Sequence, residues 1–185
     1  MNTMKPLSKT TLALHWLVAM AMLGLVGLGW YMAEFKQYQY YHLHKSIGLL
    51  VIVLVLARVG WRIRKGWPEH VVNYSASEVL LSKIVHWVLL LSTLLMPIWG
   101  MLYSGGSGHG FGIFGLEIFP SNHSHEDPSV IIPLSEFWSN LGHVAHRYNG
   151  YIFISAIALH IIGALKHHII DKDFTLKRML GKNPN

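Results

Sequence analysis

Two histidines, His146 and His160, lie fourteen positions apart in an otherwise apolar stretch of the sequence. In an α-helix, fourteen residues return to within roughly 40° of the starting face and advance about 21 Å along the axis. The two imidazoles would then share one helix face and lie near opposite sides of a hydrocarbon layer about 30 Å thick. Because polar side chains in lipid are costly, such histidines indicate a functional site. The spacing favours two stacked haems, each needing a second histidine, over one imidazole held by a neighbouring serine or carbonyl.

The composition is that of a membrane protein. Of 185 residues, 52% are hydrophobic and 13% are charged, and the charges are segregated between long uncharged runs. Cysteine is absent, which excludes disulfides, cysteine-bound iron–sulfur clusters and covalently attached c-type haem. Any haem must therefore be held by histidine or methionine. The first apolar run is longer than a signal-peptide core and lacks a small-residue cleavage site, so we interpret it as a membrane span.

Four apolar segments predict an all-α integral membrane protein, a single-domain antiparallel four-helix bundle that can hold two stacked b-type haems between its helices. The spans are expected at residues 10–32, 40–63, 79–103 and 135–168. Pro97 and Gly100 predict a kink in the third span. The external loop at 104–133 is rich in glycine and histidine, and a structureless loop of that length is usually functional or disordered.

The lysines and arginines predict the orientation of the bundle. Twelve lie in the N-terminal tail, the second-to-third connection or the C-terminal tail, whereas only Lys36, Lys45 and Arg147 lie on the other side. This positive-inside bias places both termini in the cytoplasm and the loop at 104–133 outside. The distribution also explains the net charge of +6 without nucleic acid as a partner.

Depth along the spans pairs the histidines. His15 and His160 lie toward the inner side, whereas His44 and His146 lie toward the outer side. A flat porphyrin along a helix face would collide with a bulky residue at i+4, because i and i+4 share a face. The residues at i+4 from the four histidines are all small: Ala19, Gly48, Gly150 and Ala164. Depth and sterics therefore pair His15 with His160 and His44 with His146 as axial ligands.

His86 also lies toward the inner side and competes for the inner site, but Leu90 follows it at i+4. We expect it to pack near the inner haem or to line a quinone pocket, whose other candidates are Lys83, Trp87, His167 and His168. The alternative for this set is an anchor at the membrane interface. In the loop, His123-x-His125 followed by carboxylates is a weak metal-binding pattern, and a solvated loop is the simpler interpretation.

His15-Trp16 in the first span, His44-Lys45-x-x-Gly48 in the second, and His146 and His160 in the fourth resemble the bacterial di-haem cytochrome b561 family. This family is related to the cytochrome b subunits of membrane hydrogenases and formate dehydrogenases. The resemblance covers nearly the whole chain and implies two haem b groups on His15, His44, His146 and His160. It also implies a multi-pass protein of the bacterial inner membrane with quinone as its electron partner. For free-standing members it implies superoxide oxidation outside and ubiquinone reduction.

Three functional hypotheses follow. Bis-histidine ligation leaves no open position on iron, so the haems would transfer electrons through their edges. The first hypothesis is an oxidoreductase that passes electrons from superoxide, or another small external donor, to ubiquinone or another membrane quinone. The second is a membrane-anchoring electron-relay subunit for a hydrogenase-like or other dehydrogenase partner. The third, a transporter or structural membrane protein, leaves the paired histidines without a purpose.

Lys45 and Arg147 each directly follow a proposed outer ligand. Positive charge beside an exposed haem edge would steer a small anion such as superoxide toward it, which makes these two residues the catalytic candidates. This role is compatible with neutralising the haem propionates.

Overall fold

Four long α-helices make up most of the computed structural model, which describes residues 6–68, 72 and 74–182. They are α1 (Lys9–Phe35), α2 (Tyr41–Lys65), α3 (Ala76–Gly106) and α4 (Glu136–Ile169), followed by a short α5 (Thr175–Met179). A single 3₁₀ turn at Tyr38–Tyr40 precedes α2. All four long helices are long and apolar enough to cross a membrane. They confirm the predicted four-helix membrane bundle, and their bounds lie within a few residues of the expected spans.

Side-chain caps fix where the helices begin. The hydroxyls of Ser8 and Ser135 accept hydrogen bonds from the third residue beyond them, at the starts of α1 and α4. At the start of α3, Ser75 and Glu78 form a reciprocal capping box. At the C-terminal end of α2, Gly66 takes a positive φ of 72°, which glycine adopts without steric cost. Local sequence therefore sets the helix ends.

The apolar core of the bundle lies midway along the helices. It is formed by Val18, Met22 and Leu25 of α1, Val51 and Val55 of α2, and Phe153 of α4. We call the end of the bundle that carries the α3–α4 connection the outer end, and the end that carries the described chain termini the inner end, following the predicted orientation. In sequence, the core residues of α1, α2 and α4 fall between an outer and an inner candidate site.

Helices α3 and α4 form the most extensive contact. A Cβ atom added at Gly142 would lie 2.3 Å from the backbone nitrogen of Tyr103, and one at Gly106 would lie 2.5 Å from that of Ser139. Glycine at these positions lets the two backbones approach closely, as small residues do in membrane bundles.

Helix α3 runs unbroken through Pro97. Proline cannot donate to the carbonyl four residues before it, so this stretch of α3 loses a backbone hydrogen bond. Helix α4 donates two side-chain bonds nearby, from Asn149 to the carbonyl of Ser92 at 3.1 Å and from His146 to that of Met96 at 3.0 Å. The kink expected from Pro97 stays a prediction.

The connection between α3 and α4 contains secondary structure that the sequence analysis did not predict. Strands β1 (Phe111–Ile113) and β2 (Leu116–Phe119) form an antiparallel hairpin. Its two-residue turn, Phe114-Gly115, has positive φ at both positions, 45° and 92°, as a type I′ turn requires. Farther along, His123 pairs with Ile131 in an isolated bridge. The loop at 104–133 is therefore folded over the outer end.

Candidate functional site

The bundle brings four histidines together as two facing pairs. His15 on α1 faces His160 on α4, with ring centroids 6.3 Å apart and ring planes at 65°. His44 on α2 faces His146 on α4, with centroids also 6.3 Å apart and planes at 75°. Because His146 and His160 lie on one helix fourteen residues apart, the pairs are stacked along the bundle axis about 21 Å from each other.

The spacing within each pair fits a metal ion between two imidazoles. A metal–nitrogen bond of about 2.0 Å, with roughly 1.2 Å more from nitrogen to ring centre, separates opposed imidazole centroids by about 6.4 Å. Both pairs lie close to this value. His86 also approaches His160, but their centroids are 5.2 Å apart, too close for a metal ion between opposed rings. The pairs could therefore each hold a haem iron, and His86 is a neighbour of the inner pair.

One member of the outer pair, His146, has the hydrogen bonding expected of a metal ligand. His146 donates from Nδ1 to the carbonyl of Met96, which leaves its Nε2 as an unprotonated acceptor in the neutral ring. Metal-binding histidines commonly donate their other nitrogen in this way, which fixes the tautomer and the ring orientation. His44 Nδ1 is buried and has no hydrogen-bond partner in the described part of the chain.

Glycines adjoin the outer pair. A Cβ at Gly29 would lie 3.3 Å from Cε1 of His44, and one at Gly100 would lie 3.5 Å from Cε1 of His146. A Cβ at Gly48, one turn beyond His44, would meet nothing within 4 Å, which is the space the i+4 argument requires for a flat cofactor. At Gly150 the nearest atom is Cε of Met96, at an ordinary contact distance of 3.5 Å.

A signal that the sequence analysis missed links both levels. We call the height of the His44–His146 pair along the bundle the outer level and that of the His15–His160 pair the inner level. Each long helix carries one residue at each level, fourteen positions apart: His15 and Gly29, His44 and Arg58, His86 and Gly100, His146 and His160. Each pair spans two levels. The outer level combines two histidines with two glycines, whereas the inner level combines three histidines with one arginine. Sequence spacing alone could have revealed this asymmetry.

Arg58 belongs to the inner level. Its guanidinium donates to the backbone carbonyl of His15 across 3.4 Å, and Val55, one turn away on the same helix face, is 1% exposed. Arg62 follows one turn later and reaches the carbonyl of Gly66 and the ring of Trp67. Trp67 in turn lies against His86 and Trp87. The inner level is thus lined by cations and aromatic rings.

Lys45 and Ser46 attach the hairpin to α2 beside the outer pair. The Lys45 ammonium has three oxygen acceptors, the hydroxyl of Ser104 and the carbonyls of His109 and Gly110. The buried Ser46 hydroxyl donates to Gly112 and accepts from the amide of Phe114. The three hydrogens of an ammonium group are therefore matched by three acceptors, and Lys45 positions the external connection as well as carrying charge.

Arg147 lies on a different face of α4 from His146, since consecutive residues in a helix differ by about 100°. Its guanidinium donates no hydrogen bond to the hairpin in the described structure and instead donates to the hydroxyl of Tyr151 at 3.2 Å. The side chain is exposed. The structure thus brings Lys45, but not Arg147, into contact with the external connection.

A cavity of about 630 Å³ lies between the outer end of α2 and the hairpin. Its polar lining includes His42, Lys45, His109 and Glu117, and its apolar lining includes Phe111 and Phe114. A second, almost wholly apolar cavity of about 360 Å³ lies between the hairpin and the outer ends of α3 and α4. The first cavity is lined by Leu43 and Lys45, the two sequence neighbours of His44.

His167 lies in a polar cluster at the inner end. Its Nδ1 is 2.9 Å from Asp171 and 3.2 Å from Asp173, while Tyr74 donates to Asp173 at 2.6 Å. Burial and this hydrogen bond raise the pKa of Tyr74 to about 12. Burial alone would raise the pKa of Asp173, but hydrogen bonds from Tyr74 and Thr175 outweigh it and lower that pKa.

The same cluster fastens helix ends together. Lys166 pairs with Asp171 at 2.9 Å and forms a short ion pair with Glu78, which joins α4 to the start of α3. The donor atoms of His167, Asp171 and Asp173 lie close enough for a cation. However, Lys166 already pairs with Asp171 and Tyr74 already donates a hydrogen bond to Asp173, so the contacts of the cluster are those of a structural junction.

Four apolar helices with facing imidazoles at two levels define a helical membrane cytochrome. The family model described as prokaryotic cytochrome b561 matches residues 7–182, and the chain belongs to that family. It is therefore an electron-transfer protein of a bacterial membrane that binds b-type haem.

Relatives align over nearly the full chain. The chain is 32% identical over 187 residues to cytochrome b561 homolog 2 of Escherichia coli (strain K12), covering 98% of this chain and 95% of the relative. Cytochrome b561 homolog 1 of the same organism is 28% identical over 183 residues, covering 96% and 98%. A protein of Yersinia pestis called probable superoxide oxidase CybB is 29% identical over 185 residues, covering 96% and 97%.

Proposed function

We propose that the chain binds two haems b, one between His15 and His160 and one between His44 and His146. The equal centroid spacing of 6.3 Å in both pairs carries this proposal. The hydrogen bond from His146 to Met96 and the space beside Gly48 support it at the outer level. Bound in this way, each haem would transfer single electrons through its edge, because both axial positions are filled.

We further propose that the protein is a multi-pass protein of the inner membrane with both termini in the cytoplasm. The lysine and arginine distribution supports this orientation, since three cations lie on the outer side and twelve on the inner side. The hairpin and the cavity of about 630 Å³ would then face the outside. External donors would meet the outer pair first.

The donor that we propose is superoxide, and the acceptor is ubiquinone or another membrane quinone. Two superoxide anions each lose one electron and become dioxygen, and one quinone gains two electrons and two protons to become a quinol. The name of the Yersinia pestis relative supports the donor. Lys45, which directly follows His44, supplies positive charge at the outer end, and Arg147 adds charge farther around α4.

The quinone would be bound at the inner end. His86, Trp87 and Lys83 lie on α3 and His167 and His168 on α4, so three imidazoles from two helices are candidates for this site. Support comes from His86, which contacts both His160 and Trp67 and so lies between the inner pair and an aromatic surface. His167 contacts two carboxylates, those of Asp171 and Asp173.

The test measures haem content and then reduction. A pyridine haemochrome assay on the purified, fully loaded protein should give two haems b per chain, and one per chain would contradict the proposal. Superoxide should reduce these haems directly, and a ubiquinone analogue should reoxidise them. Reduction only within a stable complex with a copurifying dehydrogenase would favour the relay-subunit hypothesis instead.

A further inference from the structure

We propose that Arg58 sets the redox potential of the inner haem and thereby directs electrons from the outer level to the inner one. This inference rests on the proposed pairing of His15 with His160. Arg58 would supply a fixed positive charge that changes the redox potential of the inner haem. It would not contact the electron donor or the quinone. Its place in the bundle, its contacts and the absence of a carboxylate partner among the described residues each support this role.

The place of Arg58 on α2 matches that of His160 on α4. His44 and Arg58 are fourteen positions apart, as are His146 and His160, so both helices step from the outer to the inner level. Between His44 and Arg58, the same helix face carries Val51 and Val55, which are 3% and 1% exposed. Arg58 therefore continues the stripe of α2 that faces the bundle interior.

The contact of Arg58 points into the bundle. A cation near a helix end usually extends toward the membrane surface, where its charge is hydrated. Arg58 instead donates to the carbonyl of His15, which lies six positions inside the start of α1. Arg64 and Lys65, closer to the end of α2, are exposed and can serve as interfacial anchors.

No carboxylate compensates Arg58 in the described structure. The ion pairs found there involve only Lys166 and His167 with Glu78, Asp171 and Asp173. Helix α2 contains no acidic residue, and the one acidic residue of α1, Glu34, is at the outer end. A charged side chain inside a membrane span is costly and is usually retained for function.

A fixed cation favours gain of an electron nearby. Reduction lowers the positive charge of a haem iron, so a fixed guanidinium at the same level stabilises the reduced form, and the low dielectric of the bundle strengthens the effect. At the outer level the corresponding positions on α1 and α3 are the uncharged Gly29 and Gly100. Lys45, the cation beside that level, extends to the hydroxyl of Ser104 and the carbonyls of His109 and Gly110 in the external connection, whereas Arg58 contacts the backbone of His15 itself. The inner haem should therefore have the higher potential.

Spectroelectrochemical titration of the purified, haem-loaded protein tests this proposal. Arg58→Gln should lower the midpoint potential of one of the two haems by about 59 mV. For a one-electron couple, this corresponds to about a tenfold lower ratio of reduced to oxidised haem at a fixed potential. The other midpoint should move much less. Arg58→Lys, which keeps the charge, should retain most of the parent potential. Arg64→Gln removes a charge from an exposed position on the same helix and serves as the matched control.

Three results would overturn the proposal: unshifted midpoints in Arg58→Gln, equal shifts of both midpoints, or an equal shift in Arg64→Gln. If Arg58→Gln loses a haem, its midpoints cannot be compared with those of the parent, and Arg58→Lys distinguishes a role for the charge from a structural role. Parent-like haem content and potential in Arg58→Lys support a role for the charge, whereas the same haem loss assigns Arg58 a purely structural role. Failure of the two-haem proposal is distinguishable, because the unmodified protein would then show fewer than two haems.

Discussion

The Nδ1 atom of His146 lies 3.0 Å from the carbonyl oxygen of Met96, the residue immediately before Pro97. Donation to this carbonyl selects the tautomer in which Nε2 is available to a metal. The acceptor is in a stretch of α3 already missing one backbone donor because of proline. The outer ligand is thus oriented by a neighbouring helix, a relationship that depends on the close α3–α4 contact at Gly142 and Gly106.

Alanine substitutions of the paired histidines should remove haems selectively. His44→Ala or His146→Ala should abolish the outer haem, and His15→Ala or His160→Ala the inner one, because each haem loses an axial ligand. Pyridine haemochrome assays and electron paramagnetic resonance spectra would count the haems and report their spin states.

His86→Ala is the informative control for the pairing. The centroid distance of 5.2 Å between His86 and His160 predicts that His86 is not an axial ligand, so two low-spin haems should remain. Conversion of one haem to high spin in His86→Ala would show instead that His86 ligates the inner iron.

The space behind His44 gives a second prediction. A Cβ at Gly29 would already contact His44 at 3.3 Å, so Gly29→Val should displace the imidazole and reduce outer-haem content at least severalfold. Gly27→Val on the same helix is the matched control, because a Cβ there meets nothing within 4 Å. Haem content per chain and the spectrum of the remaining haem are the measurements. Equal haem loss in the two variants would mean that valine harms α1 generally.

The sequence predicts the membrane architecture well because its strongest signals are local. Long uncharged runs predict four spans, and the caps that the structure shows at Ser8, Ser75 and Ser135 involve residues only three positions away. The facing of His15 with His160 and of His44 with His146 also follows from depth, since a transmembrane helix converts sequence position into height. Their ligation of haem iron remains a prediction.

Other features depend on contacts distant in sequence and could not be predicted in the same way. The hairpin is short and is attached by Lys45 and Ser46, more than sixty positions before its residues. Its turn, Phe114-Gly115, carries a bulky residue at positive φ in place of the usual asparagine or aspartate. Conversely, the fourteen-residue spacing of Arg58 from His44 is visible in the sequence. Only the hydrogen bond from Arg58 to the carbonyl of His15 shows that Arg58 lies beside the inner histidine pair.

Haem reduction by superoxide should slow as ionic strength increases. Lys45 and Arg147 add positive potential at the outer end, and salt screens the steering of a small anion. The double substitution Lys45→Gln with Arg147→Gln should flatten the salt dependence, as measured by stopped-flow reduction at several salt concentrations with haem content and potential checked in parallel.

Lys45 also holds the hairpin, so this prediction needs a control for structure. Ser46→Ala removes two hairpin contacts, to Gly112 and Phe114, without changing charge. It should leave the slope of rate against salt unchanged even if the absolute rate alters. A rate indifferent to salt in the unmodified protein, or an unaltered slope in the double variant, would limit these cations to structural or propionate-binding roles and favour a protein donor.

The hydrogen bond from Tyr74 to Asp173 should make the stability of the polar cluster around His167 depend on pH. Because the folded pKa of Tyr74 is about 12, above an unfolded value near 10, its contribution to stability is present below about pH 10 and is lost as pH rises toward 12. The lowered pKa of Asp173 has the opposite sign: its contribution is present above about pH 4 and is lost on acidification.

Tyr74→Phe should therefore lower the free energy of unfolding of the detergent-solubilised protein at pH 8 by about 1 kcal/mol, which is the usual contribution of one hydrogen bond to a partly buried group. The melting temperature should fall accordingly. The difference from the parent should narrow between pH 10 and pH 12, where the parent tyrosine also loses its proton. Tyr148→Phe, at an exposed position on α4, provides a tyrosine control for general effects of alkaline pH. Equal melting temperatures at pH 8, or a difference that persists undiminished at pH 12, would show that the hydrogen bond does not stabilise the junction.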